Sequence, residues 1–148
     1  MDETRMDQLW DEIWGLLEEG HSDAAAARAL RALNEEGDEP ELRYLLGVSL
    51  LDSDEPEAAI VELESATDAG PEWSEAQNAL AWAYFRACRF EDAGDAAEAT
   101  LELDPKSADA HQLCGLLAER EGNEVVARRE LSLASRMDPD RYPKPVEM

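Results

Sequence analysis

The sequence predicts an all-α fold of four stacked helical hairpins, about eight antiparallel helices in all. Three observations carry that prediction. Pro71, Pro105 and Pro139 are spaced by 34 residues, and so are Ala59, Ala93 and Ala127. Gly47 and Gly115 stand two such periods apart with Ala81 midway between them, as do Ala66 and Ala134. A fixed period of this size marks a helical array whose units bury their apolar faces against their neighbours.

Placing Gly47 at position 8 of the unit tiles a repeat domain, residues 1–141, from residue 6 onward into repeats 6–39, 40–73, 74–107 and 108–141. The first is the least regular: Leu16, Gly20, Ala25, Ala29 and Ala32 hold the register, but Ile13 replaces the small residue and Gly37 stands where the proline belongs. A terminal repeat tolerates this because one of its faces has no neighbour. The second carries Leu46, Gly47, Leu50, Ala59, Leu63, Ala66 and Pro71, with Pro56 suited to the first turn of its second helix. The third carries Leu80, Ala81, Tyr84, Ala93, Ala97, Thr100 and Pro105, and Ser74 with Gln77 reads as a capping box at its start. The fourth carries Cys114, Gly115, Ala118, Ala127, Leu131, Ala134 and Pro139. Small residues let the two helices of a hairpin approach closely, and a closing proline cannot extend a helix.

This skeleton resembles the tetratricopeptide repeat family, over nearly the whole chain. The resemblance implies a right-handed helical-hairpin solenoid whose first helices line a concave groove, chiefly at positions 2, 5, 9, 12 and 13 of each repeat. Position 2 would supply Asp7, Glu41, Glu75 and Asp109, and position 5 Trp10, Tyr44, Asn78 and Gln112. Position 9 would supply Trp14, Val48, Trp82 and Leu116; position 12 adds Leu17, Leu51, Phe85 and Glu119, and position 13 adds Glu18, Asp52, Arg86 and Arg120. The scaffold does not require large side chains there, yet Trp10, Trp14, Tyr44, Trp82 and Phe85 fall on these positions. Aromatics with polar neighbours are the usual makeup of a binding hot spot. An aromatic floor edged by carboxylates suits an apolar peptide or helix of basic character. Trp10 and Trp14 also fit a core role, and acidic helix starts also serve the helix dipole. Members of the family that clamp acidic chaperone tails carry cations on this surface, which here is acidic and apolar.

Charge narrows the partners. The 36 Asp and Glu against 13 Lys and Arg leave a net charge of −23. A field of that sign repels phosphate backbones and anionic headgroups, so the expectation is no nucleic acid and no membrane partner. No run approaches the roughly 20 apolar residues of a membrane span. The start of the chain shows no signal-peptide core, and two cysteines without metal or disulfide spacing fit a reducing cytoplasm. An Ala-, Glu- and Asp-rich composition with Lys106 and Lys144 as its two lysines suggests a bacterial protein.

Little points to catalysis. His111 and Cys114 stand three apart on one helix, but nothing completes a metal set, and Cys114 fills a core position. Cys88 and His21 fall in turns, and no phosphate loop or nucleophile elbow is present. The chain therefore reads as a non-enzyme without cofactors. Arg128, Arg129 and Arg136 give the last helix a polar outer face, which either ends the stack or docks an acidic neighbour as a homodimer through the terminal repeat.

Residues 142–148 break the period and read as a proline-containing tail or linker. The run 138–145 resembles the junction between repeats and a zinc-metallopeptidase-like domain in some bacterial proteins. The functional expectation is a protein-binding adaptor. The alternatives are a dedicated bacterial chaperone for one client, or the regulatory or targeting part of a larger enzyme continuing past residue 148.

Overall fold

The computed structural model describes residues 1–144, and among them eight helices and no strand. They are α1 Glu3–Glu18, α2 Ser22–Glu36, α3 Pro40–Asp52, α4 Pro56–Ala69, α5 Ser74–Arg86, α6 Phe90–Leu103, α7 Ala108–Arg120 and α8 Glu124–Met137. They form two compact units, one ending at Pro71 and one beginning at Glu72. In the first, α2 packs on α1 and α3, α4 on α3, and α1 also meets α3. The second repeats the scheme, with α5 on α6, α6 on α7, α7 on α8, and α5 on α7.

Each hairpin turns through one device. Gly20, Asp54, Cys88 and Gly122, all at position 15, have φ of 81°, 60°, 63° and 77°. The next residue's N–H then reaches back to a carbonyl inside the helix: His21 to Leu16, Glu55 to Leu50, Arg89 to Tyr84 and Asn123 to Ala118, at 2.8–2.9 Å. A left-handed residue past the helix end lets the chain satisfy carbonyls that would otherwise be orphaned.

The repeat-closing prolines act through the residue before them. Gly70, Asp104 and Asp138 cap α4, α6 and α8 with φ between −136° and −144° and ψ between 77° and 89°. A following proline excludes the helical region, so each helix stops there and the chain turns towards the next repeat. In the first repeat Gly37 does this work with φ 99°. At helix starts, Pro40 and Pro56 stand at the first helical position, where the missing N–H costs nothing. Asp2, Ser107 and Asn123 cap α1, α7 and α8 by accepting from the N–H groups of Arg5, Ala110 and Val126.

The capping box expected at Ser74 does not form. Trp73 is the cap residue, Ser74 is already helical, and its hydroxyl meets Glu75 Oε2 at 3.3 Å. The 34-residue register explains this, because Trp73 occupies the position held by Glu39 and Ser107 in the flanking repeats. A capping side chain turns back onto the first N–H groups from the residue that precedes the helix, not from within it.

The hairpins close on a matched pair of sizes. A Cβ on Gly47 would lie 2.5 Å from Leu63 Cγ, and one on Gly115 would lie 2.6 Å from Leu131 Cγ. At the same two positions the third repeat has Ala81 and Ala97, both fully buried. The first repeat has Ile13 and Ala29, also fully buried. A large residue on one helix therefore stands opposite a small one on its partner, or two middling ones meet. Buried hydroxyls are satisfied on their own helices: Ser49 Oγ donates to the Leu45 carbonyl at 2.6 Å and Thr100 Oγ1 to that of Ala96 at 2.9 Å.

Candidate functional site

In the first unit, α1 and α3 bring three aromatic rings into one column. Trp10 stacks on Trp14 with centroids 6.0 Å apart, and on Tyr44 at 5.6 Å, both pairs within about 11° of parallel. The helical spacing from Trp10 to Trp14 puts both indoles on one face of α1, and Tyr44 meets them from α3. Tyr44 is only 7% exposed and Leu51 8%, so these two form the floor. Trp10, Trp14, Glu41 and Val48 remain half-buried.

The second unit builds a different cluster. Trp82 meets Phe85 edge to face at 5.9 Å, and Phe85 meets Phe90 likewise at 5.7 Å. The Arg120 guanidinium lies 3.7 Å above the Phe90 ring, a cation–π contact that fixes a positive charge beside the aromatics. Phe90, on α6, was not expected in the site, whereas Arg120 falls on position 13 of the fourth repeat. The dense aromatic run from Trp82 to Phe90, broken only by the turn, was the available signal. Arg86 and Glu75 are exposed, while Asn78, Gln112 and Leu116 are half-buried.

Asp109 is the most engaged of the acidic position-2 residues. Its Oδ2 accepts from Asn78 Nδ2 at 3.3 Å, and its Oδ1 lies 3.4 Å from Arg141 Nε and also accepts from the Tyr142 hydroxyl. Burial and the bond to Asp109 push the Tyr142 phenol well above the ordinary tyrosine range. The tail, read from sequence as a linker, is thus pinned to α7 as far as Tyr142; residues 145–148 lie outside the described residues. Glu41 and Glu75 have a simpler explanation, whereas Asp7 lies past the first turn of α1, whose first-turn acid is Glu3. Every helix, first or second, carries an acidic residue in its first turn, where it complements the dipole.

The His111 and Cys114 pair is structural. His111 Nδ1 lies 2.6 Å from Glu130 Oε2 and Nε2 lies 2.9 Å from the Pro105 carbonyl, which leaves no ring nitrogen for a metal. Burial, and then the charges of Glu130 and Glu98, raise the Cys114 thiol to about 11. Among the described residues no group of three or more His, Cys, Asp and Glu is placed to hold a metal ion. Cys88 is exposed in its turn.

A tetratricopeptide repeat family model matches residues 16–83 and 50–117. The chain belongs to the tetratricopeptide repeat family. Its fold is accordingly the helical-hairpin solenoid of that family. Among solved structures, the tetratricopeptide repeat protein YrrB, described as having an unusual peptide-binding site, is 22% identical with a TM-score of 0.75, covering 94% of this chain and 72% of YrrB. TTC0263 from Thermus thermophilus is 21% identical with a TM-score of 0.80, over 90% of this chain and 75% of its own. A MamA fragment from Desulfovibrio magneticus RS-1 is 20% identical with a TM-score of 0.78, over 92% and 77%. No curated protein matches the chain. Tetratricopeptide repeat proteins are typically non-catalytic interaction modules that bind peptides or proteins. No helix among the described residues is long and apolar enough to cross a membrane.

Proposed function

We propose that the chain is a non-enzymatic protein-binding module, and that the first-helix face of each unit takes an apolar segment of basic character. The observation that carries this reading is the half-buried aromatic surface at positions the hairpin does not need for closure. Closure is accomplished by the buried pairs at positions 8 and 24, whereas Trp10, Trp14, Trp82 and Phe85 keep part of their surface open. Large amphipathic rings present much contact area at little conformational cost, which is why they dominate interface energetics. The surrounding charge of −23 favours a partner carrying Lys or Arg and disfavours an acidic one.

A lysate pull-down tests this with the wild-type chain beside Trp82→Ala/Phe85→Ala, both checked for helicity by circular dichroism. The control is Leu30→Ala/Val61→Ala, which trims exposed apolar residues of α2 and α4. Truncating a hot-spot aromatic costs about 2 kcal/mol or more, roughly a thirtyfold loss of affinity. The prey should be retained by wild type and control and lost by the aromatic variant. A prey held equally by all three would remove the reading.

A further inference from the structure

We propose that Asp109, Asn78 and Gln112 form a recognition site for an arginine–aromatic pair on an incoming segment, and that the chain's own Arg141 and Tyr142 occupy it in cis. This names the partner chemistry for one end of the second unit's binding face and rests on the protein-binding reading above. The cis contacts show what the site accepts. One oxygen of Asp109 is oriented by Asn78, and the other faces a phenol and a guanidinium at once. Arg141 also lies over the Tyr142 ring, 5.6 Å from its centroid, so the two side chains arrive as a unit. A carboxylate held in this way offers charge-assisted bonds to both donors.

The cis occupant fits imperfectly, and that separates a ligand site from a simple end cap. Asn78 Oδ1 is buried and has no hydrogen-bond partner. A buried acceptor left unpaired is costly, and an N–H from an incoming backbone or side chain would satisfy it. A hollow of about 180 Å³ lies alongside, lined by Gln112, Leu131, Arg141, Tyr142 and Pro143, with room for a neighbouring ligand side chain. The hold on the tail is also slight. The Arg141 and Tyr142 N–H groups bond only locally, to Asp138 Oδ1 at 3.1 Å and to the Asp138 carbonyl at 2.9 Å. Arg141 is 64% exposed and touches Asp109 at 3.4 Å, so the attachment to α7 depends on the Tyr142 hydroxyl. Tyr142 and Arg141 therefore act as a displaceable stand-in for the segment of a partner.

The test uses the full chain, labelled with ¹⁵N, and a blocked peptide with the sequence of residues 138–144 as probe. Arg141→Ala/Tyr142→Ala empties the site, and Tyr142→Phe, which removes one hydroxyl, serves as the milder variant. The Asn78 side-chain amide should shift saturably with peptide in the emptied variant. Wild type should respond about tenfold more weakly, because its tail must first give up the Tyr142 hydroxyl bond and the longer Arg141 ion pair to Asp109. Tyr142→Phe should fall between the two. Adding Asp109→Asn to the emptied variant should abolish the response. No shift in the emptied variant, equal responses in wild type and variant, or a response surviving Asp109→Asn would each overturn the proposal. A prey lost by Trp82→Ala/Phe85→Ala while the peptide gives no shift would overturn this site alone and leave the aromatic face standing.

Discussion

Replacing Gly47 with alanine should destabilise the second hairpin, and shortening Leu63 to alanine in the same chain should relieve much of that loss. The new methyl would sit 2.5 Å from Leu63 Cγ and 2.7 Å from Cδ2, and Leu63 is fully buried with nowhere to retreat. Overpacking of this kind costs about 1–3 kcal/mol. Removing a glycine from a helix interior returns about 1 kcal/mol, so Gly47→Ala should lose about 1 kcal/mol net. Leu63→Ala alone should lose about 3 kcal/mol, from lost burial and the void it leaves. In the double variant the clash is gone, the helix preference remains, and the methyl introduced by Gly47→Ala fills part of the void. The expected loss is then about 2 kcal/mol, against about 4 for the sum of the singles. The pair would reproduce Ala81 and Ala97 of the next repeat, where nature uses that combination. Urea unfolding of the four proteins measures the coupling. Singles that add to within about 0.5 kcal/mol, or a Gly47→Ala chain more stable than wild type, would refute the size-matching argument.

Two further outcomes follow from the backbone and the thiols. Asp54→Gly and Cys88→Gly should each stabilise the chain by about 0.5–1 kcal/mol in urea, since both residues hold a left-handed conformation that suits glycine; unchanged midpoints would contradict this. Cys114 should react with a disulfide reagent at pH 8 roughly two hundred times more slowly than an ordinary exposed thiol, given its raised value of about 11. Because that value is raised on folding, its stabilisation is intact below about pH 8.5 and is lost as the pH climbs towards 11. A thermal-denaturation series in wild type and Cys114→Ala checks the sign: the alanine variant should lack that part of the alkaline loss, and an identical alkaline decline in both would contradict the assignment.

Much of the fold was legible because its physics repeats. Prolines at a fixed period force the preceding residue out of the helix, and small residues at a fixed period mark where helices touch. Ile13 looked irregular on its own and becomes regular beside Ala29, a relation that needs the facing helix to be known. The hairpin turns were legible at Gly20 and Gly122 but hidden at Asp54 and Cys88, because the left-handed conformation there is imposed by the hairpin and not chosen by the residue. Ser74 and Gln77 misled by a single position, since a capping motif is informative only once the extended residue is located. At the candidate site, the repeat register put Trp10, Trp14, Tyr44, Trp82 and Phe85 on first helices, and they lie on α1, α3 and α5. It could not show that Tyr44 closes the column from below, nor that Phe90 joins the second cluster across a turn and Arg120 covers it from the end of α7. The tail was the least legible part, because Arg141 and Tyr142 act through contacts to Asp109 some 33 residues away and leave no periodic trace.

Selection of random peptides displayed on phage against the full chain tests the central claim most directly, with Trp10→Ala/Trp82→Ala as the counter-target. The account predicts enriched peptides that combine apolar side chains with Lys or Arg and fail to bind the folded counter-target. Enrichment of acidic peptides, or of peptides that bind both proteins equally, would contradict it.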